Sequence, residues 1–222
     1  MQVELIGCTS AGKSTLAESV LWAYRGIGMD ASMGADFVLQ QVGLNWVKGK
    51  LARTILIDII ALFACLTTWR SNYAFYRFAS GVVLGLPVTV SWLQKLNIAR
   101  NTFKKVGIYE LVRRGASDRQ VVLLDEGTLH TAHYLFVHVS TEPNIADLAT
   151  FAKLVPLPDV VVHLRQSPSV LIERTLQRGH KRIPARSRSA VECFIRRSVA
   201  VFEELERQLA LQGRSLVVDG CL

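Results

Sequence analysis

A short apolar run, Val3 to Ile6, stops at Gly7, and Gly7 to Thr15 read GCTSAGKST. The stretch fits G-x-x-x-x-G-K-[ST], and it constrains the chain more than any other feature. Such a loop works only between a buried strand and a helix N-terminus. The glycines let backbone N–H groups turn onto phosphate oxygens, and the helix adds the positive end of its dipole. The phosphate-contacting set is therefore Gly7, Ser10, Ala11, Gly12, Lys13, Ser14 and Thr15. Lys13 would reach the β- and γ-phosphates, the Ser14 hydroxyl would ligate Mg²⁺, and Thr15 would lie near the α-phosphate. ATP and Mg²⁺ are the expected cofactors.

The rest of the chain alternates in the way this loop demands. A helix is expected from Lys13 to about Tyr24, with Leu16, Val20 and Ala23 on one face, and a second strand over Met29 to Ala35. Between Asp36 and Gly115 the pattern is mostly helical. One helix is expected between Leu51 and Trp69, and another from near Val90 to Arg114 with Leu93, Leu96, Phe103 and Leu111 facing inward. Strands follow at Gln120–Leu124, Asp159–Leu164 and Ser215–Val218. Helices are expected over Thr128–Val137, from Thr141 with Pro143 early in it, from Ser167 to about Gly179, and over Ala190–Leu211. Alternating strands and helices imply a parallel sheet covered on both faces. The expected fold is α/β and three-layered, one domain over 1–222, with a helical insertion over about 36–116 and a lid over about 178–188.

Lys+Arg of 26 against Asp+Glu of 18 gives +8 and suits an anionic partner. Cys8, Cys65, Cys193 and Cys221 show no metal-ligand or redox spacing, which points to thiols in a reducing, cytoplasmic setting. The start, MQVELIG, does not read as a secretion signal. Two apolar runs, 54–66 and 81–93, fall short of the ~20 residues a membrane span needs. Asp58 interrupts the first and Pro87 the second, so they read as buried core helices; peripheral membrane contact is the minority reading. A homodimer is compatible with the sequence.

Asp125 ends the QVVLL strand, where a carboxylate can hold a Mg²⁺ water near Ser14. Glu126 follows, to orient or deprotonate a nucleophile or to pair with a lid arginine. Asp36, past the second strand, is a candidate base for an acceptor hydroxyl, or the N-cap of a helix beginning at Phe37. His130, His133 and His138 read better as pocket lining or packing than as a zinc site. Arg174, Arg178, Lys181, Arg182, Arg186 and Arg188 make a basic segment fit to close over ATP and neutralise a moving phosphoryl group. That segment holds no aromatic residue for base stacking, so nucleic acid is not an expected partner.

GCTSAGKST, VVLLDEG at 121–127 and HLRQSPSVLIERTLQRGHKRI at 163–183 together resemble the thymidylate kinase-like branch of P-loop nucleoside and nucleotide kinases. The resemblance covers the first thirty or so residues and most of the chain after Gln120. It implies a five-stranded parallel sheet, Mg-ATP as donor, an acceptor bound under the helices, and Arg178 and Arg182 as lid arginines. That family has Asp-Arg after the third strand, where this chain has Asp125-Glu126, and its Glu/Arg-Pro pattern after the second strand is replaced by Gly34-Ala35-Asp36. A neutral acceptor hydroxyl thereby competes with a nucleoside monophosphate, although Arg53, Arg70, Arg77 and Arg100 stand in reserve for a phosphate. The catalytic set is Lys13, Asp36, Glu126, Arg178 and Arg182, and the metal set Ser14 and Asp125. The reading is a small-molecule kinase acting on a nucleoside, nucleoside monophosphate or similar acceptor. A sugar or lipid-linked glycan kinase and an ATPase switch acting on a protein partner are the alternatives.

Overall fold

The computed structural model describes residues 1–180, 182–183, 187–210 and 213–220. Five strands, β1 (Gln2–Ile6), β2 (Asp30–Met33), β3 (Gln120–Leu124), β4 (Val160–Arg165) and β5 (Ser215–Asp219), form one sheet ordered β2-β3-β1-β4-β5. All four pairings are parallel, with Val3 opposite both Leu123 and Val160. The sheet is flanked by α1 (Lys13–Gly26), α2 (Gly34–Gln41), α3 (Lys50–Thr67), α4 (Tyr73–Gly85), α5 (Trp92–Gly115), α6 (Thr131–Phe136), α7 (Ile145–Leu154), α8 (Pro168–Arg178) and α9 (Arg188–Ala210). This is the three-layer P-loop fold expected from the motif.

Every residue of β1 and β3 is buried, as a central parallel strand covered on both faces must be. Side chains alternate across the sheet. Val122 and Leu124 pack with Phe37, Ile108 and Val112, while Val121 and Leu123 pack with Leu21 and Val3. The connection leaving β1 crosses towards β2 and the one leaving β3 crosses towards β4, so the crossovers leave these two parallel neighbours in opposite directions along the sheet. The crevice outside their C-terminal ends is where open α/β sheets bind ligands.

Helices α2 to α5 lie between β2 and β3. α3 and α5 cross so closely that a Cβ on Gly107 would stand 1.8 Å from the Ala61 carbonyl oxygen, a contact only glycine permits. Asp58, buried on α3, is neutralised there by Arg100 and Lys104 of α5. α5 opens on a capping box in which Ser91 Oγ accepts from Gln94 N–H and Gln94 Oε1 accepts from Ser91 N–H.

Several local expectations shift. α1 buries Ala17 and Leu21, with the expected Leu16 and Val20 packed at the edge of the core and Ala23 exposed. The second strand ends at Met33, and α2 starts at Gly34 with no intervening loop. Asp36 is therefore in the first turn of α2, where a carboxylate suits the helix dipole, and is not an N-cap. α7 starts at Ile145, after Pro143, because Asn144 caps it by accepting from the N–H groups of Ala146 and Asp147. The 54–66 run buries only its inner face. The 81–93 run is not one helix; it is the end of α4, a turn and the start of α5. Leu93 and Leu96 face outward. Among the described residues no helix is long and apolar enough to cross a membrane.

Candidate functional site

The loop between β1 and α1 takes its shape from backbone conformations that few side chains allow. Gly7 has φ +138°, and a Cβ there would stand 2.5 Å from the Leu164 carbonyl oxygen of β4. Gly12, at φ +98°, is the N-cap of α1, and Ser10 sits at φ +64° without being glycine. Strain of that kind persists only where neighbours hold it. α8 supplies the hold: Thr175 Oγ1 donates to Ser10 Oγ at 3.3 Å and Arg174 to the Ser10 carbonyl at 3.5 Å. The Lys13 ammonium is buried within the loop, donating to the carbonyls of Gly7 (2.9 Å) and Cys8 (3.0 Å). Burial lowers its pKa, and the carboxylates of Glu126 and Asp125 work the other way.

The carboxylates after β3 complete the crevice. Ser14 Oγ donates to Asp125 Oδ2 at 2.8 Å, joining the loop after β1 to the strand end beside it. Asp125 Oδ1 is buried with no hydrogen-bond partner among the described residues. Glu126 accepts from the Tyr134 hydroxyl at 2.8 Å and lies 3.6 Å from both Lys105 Nζ and His130 Nε2. Burial by itself would raise the Glu126 pKa; His130, Lys105, the Tyr134 hydroxyl and Lys13 outweigh it and hold the carboxyl well below the usual range. Burial also drives His130 down to about 3, so at neutral pH the imidazole is uncharged beside an ionised Glu126.

Beneath this loop lies a residue that the sequence reading passed over. Glu4, in the middle of β1, is fully buried. Its carboxylate accepts from the backbone N–H groups of Leu129 (3.2 Å) and His130 (2.9 Å) and from Thr128 Oγ1 (3.3 Å). It fills the space over Gly127, where a Cβ would come within 2.4 Å of Glu4 Oε2. Glu4 thus fixes the turn that carries Asp125 and Glu126 into α6. Its signal in the sequence was a charge inside an otherwise apolar strand.

A cavity of about 1040 Å³ opens at the crevice, lined by Thr9 to Thr15, Asp125, Glu126, Arg174, Arg178, Gly179, His180, Arg182, Ile183 and Asn97 of α5. A second chamber, about 500 Å³, shares Asn97, Arg182 and Ile183 with it and is walled by Gln94 and Asn101 of α5, Tyr134, His138 and Phe194. Arg178 is exposed at the mouth of the first cavity. Arg182 is not a free arm. Its guanidinium donates to the carbonyls of His133 and Val137 and lies over the Phe194 ring at 5.6 Å. Burial lowers its pKa to about 10. Lys181 and Arg186, expected in the lid, lie outside the described residues, as does Cys221. Arg188 is paired with Glu173 and Glu192.

Asp36 is not brought to the cavity; it pairs with Arg53. Arg100 is engaged by Asp58, and neither Arg70 nor Arg77 lines either chamber. His130 and His133 stack on each other, 5.3 Å between ring centroids, and pack on Phe202. Burial keeps both neutral, and His138 is pushed down to about 4. Among the described residues no group of three His, Cys, Asp or Glu side chains is placed to hold a metal ion.

No protein-family model and no curated protein sequence matches the chain. Solved structures similar to it include deoxyadenosine kinase from M. mycoides with bound dCTP, at 15% identity and a TM-score of 0.44, over 99% of this chain and 90% of that one. The same enzyme with products dCMP and a flexible dCDP bound gives 15% identity and 0.46 over the same shares. With bound dATP it gives 13% and 0.45, over 99% and 91%.

Proposed function

We propose that the chain is an ATP-dependent phosphotransferase that moves the γ-phosphoryl group onto a hydroxyl of a small, uncharged acceptor, a nucleoside or a compound of similar size. The observation that carries this is the Ser14–Asp125 contact, which sets a hydroxyl and a carboxylate together at the foot of the phosphate-shaped loop. The residues fit Mg²⁺. Ser14 Oγ and Asp125 are hard oxygen donors, and Asp125 Oδ1, buried without a partner among the described residues, is available directly or through a bound water. When bound, the ion neutralises charge on the phosphate oxygens.

The chain's own groups do the rest. The N–H groups of residues 10–15 and the start of α1 cradle the phosphates. Lys13 exchanges its contacts with the Gly7 and Cys8 carbonyls for phosphate oxygens. Arg178, at the cavity mouth, meets the charge of the transferring group. Glu126 orients the acceptor hydroxyl and takes its proton. A loose phosphoryl transition state asks little basic strength of that group, so a carboxyl held well below its usual pKa suffices. Asp36, held by Arg53 away from the cavity lining, is the weaker base candidate.

The second chamber favours an uncharged acceptor. Arg182, the charged group among its described lining residues, already donates to two carbonyls, and Arg53, Arg77 and Arg100 do not line it. Gln94, Asn97 and Asn101 offer amide donors and acceptors, and Phe194 offers a ring face. The binding test is calorimetry with a non-hydrolysable ATP analogue, with and without Mg²⁺. Binding should tighten with Mg²⁺ in the parent chain and lose that response in Asp125→Asn. Equal binding in both conditions would remove the metal assignment.

A second reading, ATP hydrolysis that drives a protein partner, draws on the tandem Asp125-Glu126. Turnover that ignores every acceptor and is lost in Glu126→Gln would favour it.

A further inference from the structure

α3 and α4 both pack on α5, α3 parallel to it and α4 antiparallel. Asp58 of α3 meets Arg100 and Lys104 of α5, and Ala61 meets Gly107 further along. On the other side Tyr76, early in α4, packs edge-on against Phe103, while the Lys95 ammonium near the start of α5 donates to the carbonyls of Leu84 and Leu86. The start of α3, the end of α4 and the start of α5 therefore share one end of the insertion.

That end is apolar where it meets solvent. Leu84, Val88, Trp92, Leu93 and Leu96 are exposed by 65, 99, 62, 77 and 49%, and Trp46 and Leu51 at the start of α3 are exposed as well. Basic side chains stand among them: Lys48 and Lys50 are exposed just before Leu51, and Lys95 lies between Leu93 and Leu96. From residue 37 to residue 109 the chain carries nine Lys and Arg against one acid, Asp58, which is buried and paired with Arg100 and Lys104. The whole net charge of +8 thus sits in the insertion, and the rest of the chain balances.

We infer that this end of the insertion docks on an anionic lipid bilayer, with the turn between α4 and α5 set into the interfacial layer. Three observations select lipid. The first is residue type. Tryptophan rings settle at headgroup level, Leu and Val reach beyond them into the acyl boundary, and Lys stays with the phosphates. The second is charge. An insertion with nine cations and one spent carboxylate is complementary to an acidic surface. A second copy packed here across a two-fold axis would set Lys48, Lys50 and Lys95 against their own like charges. The third is shape. Val88, almost wholly exposed between two helices, makes a projecting tip; a soft bilayer accepts such a tip, whereas a bound peptide needs a groove. Docking there sets the second chamber against the bilayer, because Thr89, Val90 and Gln94 of the same segment line it. The inference stands on this face alone and is independent of the proposed phosphoryl transfer.

The test is flotation of the purified chain with vesicles of phosphatidylcholine alone and of phosphatidylcholine with phosphatidylserine, at low and high salt. It compares the parent chain with the double variants Lys48→Gln/Lys50→Gln and Val88→Asp/Leu93→Asp, with circular dichroism as the control for folding. The parent chain should float with the phosphatidylserine vesicles and far less with the neutral ones, and salt should weaken it. The apparent Kd should rise about fivefold for each lysine removed, about thirtyfold for the pair. It should rise on the order of a hundredfold or more in Val88→Asp/Leu93→Asp, whose carboxylates replace the inserted side chains. A parent chain that does not float with phosphatidylserine vesicles at low salt overturns the inference, and so does flotation indifferent to Val88→Asp/Leu93→Asp. Sedimentation velocity without lipid covers the other occupant: a dimer that Val88→Asp/Leu93→Asp returns to monomer would overturn the inference in favour of a second copy.

Discussion

Replacing Glu4 by Gln should change how stability depends on pH while leaving the fold in place. Burial raises the Glu4 pKa from an ordinary 4.5 to about 7, against the lowering effect of the His130 and Leu129 N–H groups, Lys105 and the Thr128 hydroxyl. Between those two values the folded chain binds more protons than the unfolded chain, so stability falls as pH rises. A shift of this size is worth about 3 kcal/mol, lost progressively from about pH 4.5 to just above pH 7. Glutamine carries no such proton, and this component vanishes. Glutamine also offers one acceptor oxygen where the carboxylate offered two, so one of the buried N–H groups of Leu129 and His130 loses its partner, at about 1–3 kcal/mol independent of pH. Urea denaturation of both chains at about pH 5 and about pH 8 reads the difference. The parent chain should be the more stable at low pH, and its advantage should shrink by about 3 kcal/mol, to nothing or below, at high pH. Titrating groups that do not interact with Glu4 act on both chains alike and cancel. A constant offset between the two would refute the claim that Glu4 is held protonated more readily in the fold than out of it.

Lys13→Ala should lower turnover by about a thousandfold or more with an unchanged circular dichroism spectrum. Gly127→Ala puts a Cβ 2.4 Å from Glu4 Oε2 and should destabilise by about 1–3 kcal/mol in thermal or urea unfolding. Arg178→Ala should lower kcat with little change in Tm, because Arg178 is exposed at the cavity mouth. Arg182→Ala should lower Tm as well, since it takes the donor from the Val137 carbonyl at about 1–3 kcal/mol, while the His133 carbonyl keeps the Val137 N–H.

The parts of the fold that the sequence made legible are those governed by local rules. The GKS turn needs a strand before it and a helix after it, and QVVLL and VVVHL are apolar runs that only covered strands carry; β1, β3 and β4 stand where those rules put them. The pairing of Ser14 with Asp125 followed from the same logic, two strand ends meeting at one crevice. The parts that stayed hidden depend on packing between distant segments. Glu4 was passed over because its partners lie more than 120 residues away. The α3 run is apolar on both sides, so its composition did not say which side faces the core; Asp58 and Ala61 settle that only once α5 lies against them. Arg182 was expected as a lid arginine from its position in the family resemblance and its basic neighbours. What fixes it in place is the pair of carbonyls at the end of α6 and the Phe194 ring, set by tertiary contact. Asp36 failed as a cap because α2 begins at Gly34 without a loop, which puts Asp36 inside its first turn.

The most direct test of the central claim is ADP release from Mg-ATP by the purified chain, alone and with nucleosides, nucleoside monophosphates, sugars and lipid-linked alcohols in turn, beside Lys13→Ala. One class of uncharged acceptor should stimulate ADP formation and appear phosphorylated in proportion, with no stimulation in Lys13→Ala. ADP formation indifferent to every acceptor, or undiminished in Lys13→Ala, would contradict it.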